Sequence, residues 1–333
     1  MPQTDDSPTK NESELRNKLQ SRLLILVAAV LWSTSGFFAK SPLFEAWPKE
    51  MDGWPVRGPL LAFWRTTFAC VLLFPLVRRP HWTMKLIPTT LIFAAMSAAF
   101  LTAMTKTNAA NAIWLQNTAP VWIFVVGVLV LGDVVHRRDF WLLGFALAGV
   151  GLILCFELQG QSIDGTVYGL LGGLTYAGVV ISLRWLRHED SAWLVAMNHF
   201  VTGVVLLPYI IYLGIWPSAG QLAFLCAFGI FQMGLPYWLF ARGLKGIPGH
   251  EASGLVLLEP ILVPVWVFLA WRNEASYERP AWWTLVGGSL ILFGLLCRYG
   301  RFWRRETDLC RIGNRDDQLR RETEDRDGER QES

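Results

Sequence analysis

Between Arg22 and Arg298 the sequence has few acids or bases, and most of those stand in short clusters. Charged residues make up 17% of the chain, against about a quarter in soluble domains. The scarcity excludes an ordinary soluble fold, because the apolar runs between the clusters are too many for one aqueous core. Cysteine is equally sparse. Of Cys70, Cys155, Cys226, Cys297 and Cys310, four lie in apolar runs and none forms a CxxC pair. An odd, unpaired set argues against a disulfide framework or a metal site, and these are read as small packing residues. His81, His136, His188 and His250 stand in or beside predicted loops without metal-ligand spacing. No HExxH, Walker A, GxSxG or CxxC element occurs, so neither an enzyme site nor a cofactor is expected. The net charge of +3 comes from basic loops and a mixed-charge tail. It does not mark a nucleic-acid-binding stripe.

Long apolar runs are what the sequence has in abundance. Ten are read as membrane-spanning helices: residues 23–38, 59–77, 86–105, 109–131, 140–156, 166–183, 192–213, 219–241, 252–271 and 281–297. Each is near the roughly 20 residues a helix needs to cross hydrocarbon. Basic clusters give the orientation. Lys10, Arg16, Lys18 and Arg22 precede the first run, and Arg78, Arg79 and Lys85 follow the second. Arg137 and Arg138, Arg184 and Arg187, Arg242 and Lys245, and Arg298 to Arg305 follow the fourth, sixth, eighth and tenth. With ten crossings every one of these falls on one side. Cytoplasmic loops carry the excess of Lys and Arg, so both termini are expected inside. Eight or nine crossings would put some clusters outside.

The polar segment 1–21 is expected to be a cytoplasmic N-terminus. No small-residue cleavage site follows the first apolar run, so that run is expected to be retained. Residues 300–333 are expected to form a cytoplasmic tail, disordered because acid and base alternate there with little apolar content. Trp47, Trp54, Trp82, Trp141, Trp193, Trp216, Trp271, Trp282 and Trp283 stand near run ends. Indole prefers the headgroup level, so they read as aromatic belts, with helix packing as the alternative.

The two halves resemble each other. Ala112 precedes Pro120 by eight residues, and Ala252 precedes Pro260 by eight. Each half ends in a run with a Gly-x6-Gly pair, Gly144 with Gly151 and Gly287 with Gly294. Ala28 to Trp32 in the first run aligns with Gly172 to Tyr176 in the sixth. Five runs per half would turn the second copy over, and inverted repeats are typical of secondary transporters.

Further motifs stand in order along the chain. They are Leu31-Trp32-Ser33, Phe63-Trp64-Arg65, Thr107 to Ala112 leading to Ala119-Pro120, and Leu131-Gly132-Asp133. The second half adds Glu251-Ala252, Leu258-Glu259-Pro260 and Asn273-Glu274. In this order the chain resembles the EamA type of the drug/metabolite transporter superfamily, over residues 22–157 and 164–299. Asp133 stands where the family usually has Glu, and the outer loop Ser41 to Gly58 is long for it. The resemblance implies two inverted five-helix repeats, a basket around a central cavity, and transport of amino acids or other small metabolites. It also implies that the first, third, fourth, sixth, eighth and ninth helices line the cavity.

Polar side chains inside a membrane usually face the bundle interior or water. Glu259 is deep in the ninth run; it can take a proton or hold a cationic group, or simply serve the Pro260 kink. Arg65 can attract an anionic group or act structurally, and His199 can relay a proton or pack. Asn111, Trp114 and Thr118 fall at helical spacing on one face of the fourth run, suiting a cavity wall. Trp32, Ser35, Tyr176, Gln232 and Tyr237 complete the expected wall. The Gly169/Gly173 pair reads as close helix packing. The sequence therefore points to an all-α integral membrane transporter, possessing a small-molecule partner and a lipid environment, monomeric or homodimeric, in a bacterial inner membrane. A membrane-embedded lipid-modifying enzyme and a non-transporting scaffold are the alternatives. The topology is tested by cysteines introduced beside Arg137 or Arg187: an impermeant reagent applied outside intact cells should leave both unlabelled.

Overall fold

A computed structural model describes residues 8–130, 137–157, 163–186, 189–247 and 249–299. The first half comprises α1 (Pro8–Trp32), α2 (Ser35–Ala39), α3 (Arg57–Leu73), α4 (Leu86–Lys106), α5 (Ala109–Gln116), α6 (Ala119–Val130) and α7 (Arg137–Glu157). The second comprises α8 (Ile163–Trp185), α9 (Ser191–Leu213), α10 (Ala219–Ala227), α11 (Leu235–Gly243), α12 (Gly249–Val256), α13 (Leu258–Trp271) and α14 (Trp282–Tyr299). Among the described residues, eight helical stretches are long and apolar enough to cross a membrane, and two shorter apolar helices span Phe140–Phe156 and Trp282–Cys297. Helix and apolar run coincide because a helix satisfies its own backbone where water is absent. The polar segment before the first run is itself helical from Pro8. The tail expected to be disordered lies outside the described residues.

Several runs are not continuous helices, and proline explains three interruptions. Proline offers no N–H and its ring clashes with the carbonyl four residues back. Pro120 thus opposes a bond to Gln116, where α5 ends, and Pro260 opposes one to Val256, where α12 ends. The expected face Asn111–Trp114–Thr118 is therefore divided. Thr118 lies in the break and donates to the Leu115 carbonyl at 2.6 Å. In the eighth run Pro236 withholds a donor from Gln232, and residues Phe228–Gly234 widen into a π-helix. The first run breaks at Ser33 and Thr34, whose hydroxyls turn back onto the Val30 and Leu31 carbonyls at 2.6 Å each.

The loop between α2 and α3 folds over one end of the bundle. A turn at Asp52 and Gly53, both with positive φ, closes a hairpin of β1 (Glu50–Met51) and β2 (Trp54–Pro55). Its Phe44 and Trp47 are buried in the main core. Trp47 and Trp193 are thus packing residues rather than belt residues. Trp271 donates to the Phe37 carbonyl at 2.9 Å. Trp54, Trp82, Trp141, Trp216 and Trp282 remain exposed, as a belt requires.

Helix contacts are shared between the halves in matched pairs. α4 packs on α8 as α1 packs on α11, α5 on α8 as α12 on α1, and α7 on α14. In the last pair a side chain on Gly149 would meet the Gly287 carbonyl at 2.3 Å, and one on Gly287 would meet that of Gly149 at 2.7 Å. Of the two Gly-x6-Gly pairs, Gly287 and Gly294 make close contacts, whereas Gly144 and Gly151 have nothing within 4 Å. Gly149 is the true partner of Gly287. Gly149→Ala should therefore cost about 1–3 kcal/mol, the scale of overpacking, whereas Gly151→Ala should be nearly neutral. Thermal denaturation of both variants in the same detergent checks the difference.

Candidate functional site

Arg65 sits two turns into α3, only 1% exposed. A cation so placed needs partners. Its Nη2 donates to Ser97 Oγ on α4 at 2.8 Å, and its Nη1 to Gln232 Oε1 at 3.3 Å. The Phe228 ring lies 5.4 Å from the guanidinium carbon. Both of its hydrogen-bond partners are neutral. Nε has no partner, and no carboxylate reaches ion-pair distance, among the described residues. The backbone carbonyl of Arg65 is held against Gly229, where a side chain would approach it to 2.6 Å, so only glycine lets the π segment come so near α3.

Gln232 ties this cation to the first run. Its Nε2 donates to the Trp32 carbonyl at 3.2 Å, at the point where α1 stops. The Trp32 ring meets Tyr237 edge-on at 5.0 Å and Phe240 at 5.1 Å. Tyr237 in turn lies 5.9 Å from the His199 ring, which also meets Phe93 edge-on at 5.1 Å. His199 is fully buried, yet neither ring nitrogen has a partner among the described residues. Glu259, at the start of α13, is half-buried, and Arg65, Tyr176 and Tyr237 lie within reach of its charge. Tyr176 retains 36% exposure. The structure thus brings Trp32, Arg65, Tyr176, His199, Gln232, Tyr237 and Glu259 into one neighbourhood drawn from both halves.

The remaining expected residues lie in helix contacts. Trp114 stacks over Gly288 and donates Nε1 to the Pro260 carbonyl at 3.0 Å. That carbonyl lacks a helical donor because residue 264 is also proline. Asn111 is fully buried and donates to Thr107 Oγ1 at 3.2 Å. Thr118 faces Gly173, consistent with the close packing read there. Ser35 is fully buried beside Gly36, which packs on Val267. Ser97, Phe228 and Phe240 were not among the expected residues. An isolated Ser or Phe in an apolar run carries no signal until its neighbouring helix is known.

At the end of the bundle covered by the hairpin, ionic contacts fasten the loop. Lys106 binds Glu50 and also Asp164, the latter at 3.0 Å. Glu278 binds Lys40 at 3.4 Å and Lys49 at 3.3 Å. Arg57 donates to the Trp47 carbonyl at 2.8 Å, Gln221 to that of Leu43 at 2.7 Å, and Tyr209 to that of Pro55 at 2.9 Å.

Comparison with known proteins agrees with this architecture. An uncharacterized transporter of Archaeoglobus fulgidus is 27% identical over 200 residues, 60% of this chain and 70% of that protein. Uncharacterized transporter YwfM of Bacillus subtilis is 25% identical over 287 residues, 82% of this chain and 92% of that protein. A solved crystal structure shares the fold at a TM-score of 0.57 with 16% identity, covering 84% of this chain and 97% of its own. The model of the EamA-like transporter family matches twice, at residues 20–155 and 164–299. The chain is a multi-pass, all-α membrane protein that belongs to the EamA-like transporter family.

Proposed function

We propose that the protein is a secondary transporter carrying a small organic metabolite, an amino acid or a related solute, outward across the bacterial inner membrane by alternating access. Ten crossings in two inverted five-helix repeats, arranged as a basket with both termini cytoplasmic, belong to this reading. The polar neighbourhood around Arg65 carries it, because buried polar groups with unmade bonds lie mid-span between the halves. A scaffold gains nothing from their cost in a dry interior. A lipid-modifying enzyme would gather its acids and bases nearer a membrane face. The sequence holds no ATPase element, so a gradient supplies the driving force. Both a monomer and a homodimer are compatible with it.

In the proposed orientation the ionic contacts of the hairpin loop lie outside, and under alternating access they hold that side closed. Burial works to raise the Glu278 carboxyl, but Lys40 and Lys49 together hold it below the usual carboxylate range. Its contribution is therefore present at neutral pH and is lost only as pH falls through that lowered value. Surface pairs are worth about 0–1 kcal/mol each, a strength suited to a closure that must reopen.

Purified protein in proteoliposomes, offered a metabolite panel with and without a pH gradient, should accumulate at least one solute. A folded protein that moves none would sink the reading. Glu278→Gln should loosen the outer closure. On a background without other cysteines, an outside impermeant reagent should label Ala109→Cys up to about fivefold faster in that variant, the equivalent of 1 kcal/mol.

A further inference from the structure

The charges in the central neighbourhood bear on which solutes it accepts. Among the described residues, the titratable groups that face Arg65 or Glu259 are Tyr176 on α8, His199 on α9 and Tyr237 on α11. Arg65 is thus the one group there with a permanent positive charge. Its two bonded nitrogens are met by a hydroxyl and an amide oxygen, neither of which cancels charge. Nε is buried and has no partner among the described residues. Glu259 is near enough to balance the charge at long range, but among the described residues it makes no ion pair or hydrogen bond with Arg65. A guanidinium with an unoccupied buried N–H suits an oxyanion, which accepts a charge-assisted bond from it. Trp32, Tyr237 and Phe240 supply an aromatic surface for the remainder of the solute.

We propose that Arg65 receives a carboxylate of the solute, and that Glu259 takes up one proton as that carboxylate binds. This rests on the transporter reading above and specifies its solute. The charge balance is simple. With Glu259 ionised, the neighbourhood holds one guanidinium cation and one carboxylate. An entering carboxylate adds a negative charge, and an uncompensated charge in a dry interior is costly. Protonation of Glu259 from the aqueous phase restores neutrality without breaking or making any other covalent bond. Anion and proton then occupy the site together. A solute that is only cationic would meet Arg65 as a like charge. The neutral amide of an accepted acid keeps its shape but loses the charge.

Isothermal titration calorimetry of the full chain in nanodiscs tests this. The probes are acetate, benzoate, phenylacetate and indole-3-acetate, each beside its own amide, in buffers of different ionisation heat. At least one carboxylate should bind, its amide at least about tenfold more weakly, with about one proton taken up per anion by the balance above. Glu259→Gln should bind the same carboxylate without proton uptake, and Arg65→Gln should lose the preference for carboxylate over amide. Failure of every carboxylate to bind, equal binding of acid and amide, or binding without proton uptake would overturn the proposal. The wild-type comparison holds even if Arg65→Gln does not fold. Carboxylates that bind but do not cross proteoliposomes would refute transport and leave the Arg65 assignment standing. Solutes that cross while no carboxylate binds would do the reverse.

Discussion

Hydrocarbon offers no hydrogen-bond partner to a backbone carbonyl, so every group released from helical bonding must be satisfied by the protein itself. This chain releases several such groups, because proline lies at 120, 236, 260 and 264 within its apolar runs. The side chains nearby respond. The Trp114 indole serves the Pro260 carbonyl, Gln232 serves Trp32, and Asn117 Nδ2 reaches back to Ile113 at 2.8 Å. Trp266 donates to Ser33 Oγ at 2.8 Å across the break between α1 and α2. The interruptions and the polar residues are therefore one design. Regular helix is given up where the halves meet, and amides and indoles are recruited to that region.

The same constraint governs charge. A guanidinium inside a bundle is tolerated only when its donors are occupied and its field is answered. Ser97 and Gln232 occupy donors of Arg65, and the Phe228 ring answers part of the field. The approach of α3 to the π segment depends on Gly229, so backbone geometry and the electrostatics of the site share one small contact. Ser97 comes from α4, whereas Gln232 and Phe228 both come from the π segment of the other half. The position of Arg65 thus reports directly on how the halves sit against one another.

Much of the fold was legible in the sequence because hydropathy measures the quantity that fixes it. Among the described residues each apolar run is largely helical, eight of them long enough to cross a membrane, and the fourth and ninth runs are interrupted at matched prolines. What periodicity did not reveal is the consequence of those prolines. Thr118 was read on a continuous face with Trp114, but the break before Pro120 turns its hydroxyl back onto Leu115. The glycine spacing found the right pair of helices and half of the right residues. Gly149 was missed because close approach depends on crossing geometry, which a spacing within one helix does not encode. The loop 41–58 was recognised as long, but the burial of Phe44 and Trp47 beneath it depends on contacts distant in sequence. Within the site, Arg65, Gln232, Tyr237 and His199 were legible as polar or aromatic exceptions in apolar runs. Ser97 was not, since a lone serine in such a run usually bonds its own helix.

The bond from Trp114 to the Pro260 carbonyl has a mechanical meaning. Its acceptor sits between two prolines and has no helical donor to fall back on. Letting go of the indole would leave a bare carbonyl in a dry interior, at a cost of about 1–3 kcal/mol. The fourth and ninth runs are thereby riveted at one point, and Gly288 beneath the same indole adds the tenth. Separating these runs at that point is therefore costlier than bending them on either side of it. The flanking breaks at Asn117 and Leu257, where the backbone is already released from regular helix, are the joints on either side.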